Sequence, residues 1–179
     1  MTNETLNEVT TAVPGLKNAQ PETVPPQSKP PMVWHYTTAP SFAAIRKDGL
    51  IRPSTMYLTP GERPIVWFSS DPLWEHTVVK GVRAFDGSVI QLGMSGLLAR
   101  GVGLIRIGVD PDTAPMTWPE LKRHSRMPAK IARGLVRVAN GWGASASKWR
   151  GTFDAVPTEK WQAIEHFENR RWTALEPIA

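Results

Sequence analysis

The chain of 179 residues is long enough for one compact domain and a tail, and 41% of its residues are apolar. It has no cysteine, which excludes disulfides, thiolate metal ligands and a cysteine nucleophile and suits a cytoplasmic protein. The net charge of +5 is concentrated between Pro115 and Arg150, where eight Lys or Arg residues accompany one acid, Glu120. We expect no membrane span and no signal peptide, because no long apolar run occurs.

Residues 1–31 are predicted to form a disordered, proline-rich N-terminal tail. Thr, Asn, Gln, Glu and Pro dominate this segment, and "PETVPPQSKPP" shows no apolar period. Such a composition buries too little surface to offset its ordering entropy. A single folded domain is therefore predicted over residues 32–179.

Within this domain, strands alternate with a few short helices. "MVWHYTT" predicts a first strand, residues 40–48 a helix stopped by Gly49, and "RPIVWFSSDP" a second strand followed by a helix in "LWEHTVVKGV". "GLIRIGVDP" alternates most regularly and predicts a buried third strand. Two helices follow, at 117–126 and from Pro128 to Gly141, and "GTFDAVP" and "KWQAIEHFENRRWTAL" are predicted to close the chain as strands, with "ENRR" as a hairpin turn. This order predicts an α+β fold.

The helix from Pro128 is predicted to be amphipathic. Ile131, Leu135 and Val138 fall on one side by helical spacing, and Lys130, Arg133 and Arg137 fall on the opposite side. A basic helix face is most often only solvated, but further Lys and Arg residues nearby, with Trp142 and Trp149 among them, also favour a phosphate-binding surface. The candidate nucleic-acid-binding residues are Lys122, Arg126, Lys130, Arg133 and Arg137.

His35, on the first strand, is the most informative residue of the N-terminal half. It could simply be half-buried at a strand edge. However, about 30 residues downstream, "VWFSSDPLWEHT" offers an aromatic strand ending in two serines, with the turn "KDGLIRPS" between them. This arrangement, over about residues 33–80, resembles the ADP-ribosyltransferase superfamily. It is most similar to the branch with a histidine at the end of the first strand, which includes diphtheria-toxin-like enzymes, poly(ADP-ribose) polymerases and tRNA 2'-phosphotransferase-like proteins.

The resemblance implies a split β-sheet with flanking helices and NAD as the substrate. It implies that His35 contacts the nicotinamide ribose and that the backbone of Tyr36, with Thr37 behind it, clamps the carboxamide. Trp67, Phe68 and Ser69 would form the second wall of the pocket. Arg46 or Arg52 could bind the diphosphate bidentately.

Cleavage of the glycosidic bond also needs a carboxylate near the ribose to stabilise an oxocarbenium-like state. The resembled transferases usually place a glutamate on a late strand. Asp154 is the first candidate at that place and Glu165 the second, and neither lies in a recognisable motif. His35, Asp154 and Glu165 are thus the candidate catalytic residues.

Two functions from different classes follow. The first is an NAD-dependent transferase that moves ADP-ribose to a macromolecular acceptor, with nucleic acid as one candidate. The second is a non-catalytic binding or inhibitor module that uses its basic, Trp-rich face to bind nucleic acid or a protein partner. No metal is expected, because the four histidines lack ligand spacing.

Overall fold

The structure is a computed structural model that describes residues 31–56, 58–83 and 86–175. The predicted tail lies outside the described residues except for Pro31. The strands are β1 (Val33–Thr38), β2 (Leu50–Ile51), β3 (Val66–Ser69), β4 (Lys80–Arg83), β5 (Val89–Leu92), β6 (Leu104–Val109), β7 (Met116–Thr117), β8 (Trp149–Thr152), β9 (Val156–Pro157), β10 (Trp161–Glu168) and β11 (Arg171–Ala174). The α-helices are α1 (Ala39–Asp48), α2 (Met94–Ala99), α3 (Trp118–His124) and α4 (Ala129–Gly141).

The main sheet has seven strands in the order β11-β10-β6-β1-β3-β8-β7, and neighbouring strands pair antiparallel. Two small sheets, β2-β9 and β4-β5, accompany it. Antiparallel strands with separate helices make this an α+β protein, as predicted. None of the described helices is long and apolar enough to cross a membrane.

Alternation along the central strands divides the main sheet into two faces. Val33 of β1 and Ile107 of β6 pack in a cluster with Phe42 of α1. Trp34 and Tyr36 point to the opposite face. All six residues of β6 are buried, because this strand lies between β1 and β10 and both of its faces are covered.

Several sequence predictions are confirmed. The first helix ends at Gly49, which adopts the left-handed conformation (φ 69°) that favours glycine and returns its amide to the Arg46 carbonyl. The last two strands form the predicted hairpin. Its turn residues, Asn169 and Arg170, both have positive φ, as a two-residue turn between twisted strands requires.

The helix predicted in "LWEHTVVKGV" is wrong. Residues 71–79 form turns that lead into β4. The Glu75 carboxylate accepts hydrogen bonds from the Thr77 amide and hydroxyl, at 3.2 and 2.6 Å. Trp172 of β11 donates its indole N–H to the Leu73 carbonyl at 2.7 Å. The polar groups of this segment thus find hydrogen-bond partners without forming a helix. Its sequence alone did not decide between a helix and turns.

The helix predicted from Pro128 to Gly141 is confirmed as α4 within one residue, but its apolar side is only partly turned to the core, where Leu135 packs. The buried residues of α4 are Ala132 and Ala139, whereas Ile131 and Val138 remain exposed. The apolar arc of the helix is wide, and its small residues face the body of the protein. Bulky Trp118 and Trp149 already fill the space beneath, so alanine allows the helix to approach.

Candidate functional site

The helix α3 is held firmly at its N-terminus. The Glu120 carboxylate accepts hydrogen bonds from the amide and hydroxyl of Thr117, at 2.8 and 2.7 Å, in a capping box. These bonds hold the pKa of Glu120 below its usual value. One turn on, fully buried Leu121 packs over Gly151 of β8, where an added Cβ would lie 3.2 Å from the Leu121 Cδ1 atom and 2.8 Å from the Val66 carbonyl oxygen. The absence of a side chain at Gly151 thus allows Leu121 of α3 to pack closely against the sheet.

A short turn then leads into α4. Ser125 is fully buried; its carbonyl accepts the Arg63 amide at 2.8 Å and its hydroxyl accepts the Met127 amide at 3.3 Å. Arg126, in the turn between α3 and α4, has positive φ, 62°, a backbone conformation that residues other than glycine rarely adopt. Both helices are therefore fixed relative to the sheet by buried groups.

A groove of about 740 Å³ lies between α3 and α4, and we call it the basic groove. Its floor is apolar and largely buried, and consists of Trp118, Met127, Ala132 and Val136. Its rim is exposed and consists of Lys122, Arg123, Arg133, Arg137 and Asn140. Four cations thus surround an apolar trough.

Glu120 is the one carboxylate near the basic groove, and its charge is felt by Arg123 of the rim. The sequence has no Asp or Glu from residue 121 to residue 153, and Glu120 is bonded to Thr117. Within the described ranges, no salt bridge involves the four rim cations. The Arg123 guanidinium donates only to the Nε2 atom of neighbouring His124, at 3.0 Å. The groove therefore presents a positive potential to solvent.

The structure brings together three of the five predicted nucleic-acid-binding residues, Lys122, Arg133 and Arg137, in the basic groove. Lys130 lies on an adjacent surface of α4, and Arg126 is exposed in the turn. Trp149 is buried, so only Trp142 of the two expected stacking residues exposes its indole. Arg123, one of the further basic residues that favoured a phosphate-binding surface, completes the rim although it was not among the five candidates.

His35 is the third of six residues in β1 rather than the residue at its end. Its Nδ1 atom lies 2.9 Å from the Trp67 carbonyl oxygen, which can only accept, so Nδ1 carries the proton. Burial lowers the pKa of His35, with help from the charge of Lys80 and against the Trp67 hydrogen bond. The half-buried ring is thus neutral at pH 7, and its Nε2 lone pair has no partner among the described residues.

The predicted second wall is divided between the two faces of the sheet. Phe68 lies on the His35 face, with ring centroids 5.8 Å apart in an edge contact. Trp67 points away and packs against Trp118 and Trp149. Ser69 pairs with Trp34 and is fully buried, and its hydroxyl accepts the Asp71 amide.

The remaining predicted NAD contacts are dispersed. Tyr36 and Thr37 are buried inside β1, and the Tyr36 hydroxyl donates to the Asp71 carbonyl at 2.6 Å, while burial raises the pKa of this phenol. Arg46 is exposed on α1. Arg52 is exposed and pairs with Asp48 at 3.1 Å.

The two candidate acids are not brought to His35. Asp154 is exposed in the turn after β8. Glu165 is buried on the opposite face of the sheet, where its carboxylate accepts the Arg106 Nε–H at 2.8 Å and is also bonded to Nη2. The Arg106 guanidinium lies over the rings of Trp34 and Trp172, at 3.8 and 4.6 Å, and also bonds to the Pro72 carbonyl. Sequence reasoning missed this cluster, because an arginine in an apolar strand carries no motif.

No group of three or more His, Asp or Glu side chains placed to hold a metal ion occurs in the part of the chain that the structure describes. Comparison with protein-family models, with curated proteins and with solved structures yields no match. The function of this chain must therefore be argued from its own geometry.

Proposed function

We propose that this protein is a nucleic-acid-binding module that holds a single strand in the basic groove between α3 and α4. One observation carries the proposal: Lys122, Arg123, Arg133 and Arg137, none of them in a salt bridge among the described residues, border one apolar trough that no carboxylate lines. When such a rim binds phosphates, it releases their counterions. This release supplies affinity that does not depend on the nucleotide sequence.

The apolar floor favours a single strand over a duplex. Bases of a single strand are unstacked and can insert an apolar face between the cations, as they do in other grooves that combine positive charge with aromatic side chains. Trp118 and Met127 form the floor, and at 9% and 8% exposure they offer a base a narrow apolar surface and not an open stacking platform. A duplex presents mainly its phosphates and would leave the floor unused.

The direct test titrates a labelled single-stranded oligonucleotide and a duplex of equal length against the full chain and follows fluorescence anisotropy. We expect tighter binding of the single strand. The double charge reversal Arg133→Glu/Arg137→Glu should weaken it by more than about tenfold, or roughly 1.4 kcal/mol. The control Lys47→Glu/Arg100→Glu makes the same charge change at exposed positions of α1 and after α2, outside the groove. Equal losses in both variants would overturn the groove as the site.

A second candidate function is NAD-dependent ADP-ribosyl transfer on an ADP-ribosyltransferase-like split sheet, with nucleic acid as acceptor. The observation in its favour is His35, whose Nδ1 is fixed by the Trp67 carbonyl and whose Nε2 lone pair is unpartnered beside Phe68. A fixed neutral imidazole can accept a hydrogen bond from a ribose hydroxyl. Arg150 of β8 lies opposite Phe68 of β3 and supplies a cation on the His35 face of the sheet.

Thermal unfolding with and without NAD tests this candidate. A ligand that binds only the folded state raises the melting temperature by mass action, so NAD should stabilise the wild type but not a His35→Ala variant. Mass spectrometry of an oligonucleotide incubated with the protein and NAD should then detect an added ADP-ribose. An unchanged melting temperature of the wild type with NAD would exclude an NAD site. An oligonucleotide that is bound but not modified would support the nucleic-acid-binding function and exclude the transferase.

A further inference from the structure

His124, the last residue of α3, is exposed beside the rim of the basic groove. Its Nε2 atom lies 3.0 Å from the Nη2 atom of Arg123, one of the four rim cations. A guanidinium can only donate, so Nε2 must be the acceptor of this hydrogen bond and the ring proton must lie on Nδ1. The contact therefore requires a neutral imidazole at His124.

Protonation of His124 would change both members of this pair. A proton from water would add to the Nε2 lone pair, and the resulting imidazolium has two N–H groups and no acceptor for Arg123. The hydrogen bond between the two side chains would end, and a fifth cation would stand next to the four of the rim. Histidine is the side chain that makes such a change between about pH 5 and pH 8.

We propose that binding of a single strand in the basic groove is coupled to uptake of a proton at His124, so that mild acidification strengthens binding. The inference rests on the proposed nucleic-acid-binding function and adds a regulation of the same site. A phosphate bound at Arg123 would draw the guanidinium away from Nε2 and would favour a positive charge on the imidazole. By linkage, a strand that favours the protonated histidine binds more tightly when the proton is already present.

The charges around His124 explain why the proton is taken up on binding. The ionisable residues of α3, of the turn after it, of the segments packed against α3 and of the facing side of the groove are mostly cations: Arg63, Lys122, Arg123, Arg126, Arg133, Arg137, Lys148 and Arg150. In the free protein they oppose a further positive charge. Phosphates bound among them would remove this opposition.

The carboxylates of the same segments have other partners. Glu120 and Glu62 each accept hydrogen bonds from the amide and hydroxyl of a threonine, Thr117 and Thr59 respectively. The pKa of Glu120 is lowered first by its bonds to Thr117 and then, to a smaller extent, by the charges of Arg123 and His124. Neither carboxylate forms a salt bridge with His124 among the described residues. Bound phosphates are therefore the anions that would stabilise the imidazolium.

The probe is a labelled thymidine oligonucleotide, whose bases gain no proton in this pH range. Titrated against the full chain at pH 7.5 and pH 6.0, it should bind at least about threefold more tightly at the lower pH, because a further cation meets a phosphate. His124→Gln keeps an acceptor for Arg123 but stays uncharged, so it should match the wild type within about twofold at pH 7.5 and lose most of the rise at pH 6.0. The control His76→Gln, at an exposed position before β4, should keep the rise. An equal rise in the wild type and in His124→Gln would overturn the proposal.

Two further measurements separate a proton at His124 from a general effect of pH. Calorimetry in two buffers of different ionisation heat measures proton uptake on binding, which we expect to be between zero and one for the wild type and close to zero for His124→Gln. His124→Lys carries the charge at both pH values, so at pH 7.5 it should bind at least as tightly as the wild type does at pH 6.0. Equal proton uptake by the wild type and His124→Gln would contradict the coupling.

The outcomes also distinguish this inference from the function on which it rests. A strand that binds at pH 7.5 and is lost in Arg133→Glu/Arg137→Glu, but whose pH profile is the same with and without His124, would leave the groove as the site and overturn only the proton uptake. Absence of strand binding at both pH values, in a protein shown by thermal unfolding to be folded, would overturn both.

Discussion

At the scale of single residues, the two sheet faces assign different roles to two ionisable groups singled out in the sequence. His35 has one nitrogen held by a backbone carbonyl and the other without a partner. Glu165 is a buried partner of Arg106 and links β10 to β6. A carboxylate that is paired with an arginine offers little negative charge to a ligand. We therefore infer that Glu165 mainly stabilises the fold.

His35 makes a prediction about pH. Its pKa is lowered in the folded protein mainly by burial, so the unfolded chain binds the proton more readily. The contribution of His35 to the free energy of unfolding should therefore be fully present above its ordinary pKa of 6.5 and should be lost as the pH drops below that value. Urea unfolding at pH 7.5 and pH 5, compared with a His35→Gln variant, measures this loss. An equal change between the two pH values in both proteins would contradict the assignment.

Glu165 makes a prediction about stability. Glu165→Leu leaves Arg106 buried and uncompensated, and breaking such a pair costs about 3–5 kcal/mol. The double variant Arg106→Met/Glu165→Leu removes both charges and should recover a large part of that loss. Urea unfolding of the wild type, both single variants and the double variant gives the coupling energy. A double variant less stable than Glu165→Leu would show that the arginine is held by its other partners, Trp34 and the Pro72 carbonyl.

At the scale of elements, α3 should depend on its capping box. Thr117→Ala removes the hydroxyl that Glu120 binds at 2.7 Å and should cost about 1 kcal/mol of stability. Because Lys122 and Arg123 lie on the same short helix, oligonucleotide affinity should fall modestly as well. Chemical denaturation and anisotropy measure the two effects. Thr173→Ala, on exposed β11, should change neither, and an equal loss there would contradict a capping role.

The elements also define what the sequence could predict. Strong alternation predicted β6, and Gly49 correctly marked the end of α1. Tertiary contacts decided the rest. Residues 71–79 form turns because the Arg106 cluster and Trp172 hold their carbonyls, and neither contact is visible in local sequence. Periodicity located α4 and its apolar arc but could not tell which part of that arc would face Trp118.

The candidate site was predictable to a similar extent. Charge counting found the basic segment, because the absence of acids is a property of the sequence itself. The groove was not predictable, since it depends on the turn at Arg126 between α3 and α4 and on Leu121 meeting Gly151. The resemblance implied that Trp67, Phe68 and Ser69 form one wall of a pocket. Side chains alternate between the two faces along β3, so of these three residues only Phe68 lies on the His35 face.

At the scale of the whole molecule, charge and burial are separated. One side of the sheet sequesters Arg106 and Glu165 among tryptophans, while the cations of α3 and α4 stay exposed and form no salt bridge among the described residues. Net charge acts on association with polyanions rather than on the fold itself. We therefore expect removal of rim cations to weaken binding with little change in stability.

The salt dependence of single-strand binding tests the central claim most directly. If four rim cations displace counterions, the logarithm of the affinity should fall with the logarithm of the salt concentration with a slope of roughly −3. Arg133→Glu/Arg137→Glu should reduce the steepness of that slope by about 1 or more. A slope near zero in the wild type, or an identical slope in the variant, would contradict a nucleic-acid site in the basic groove.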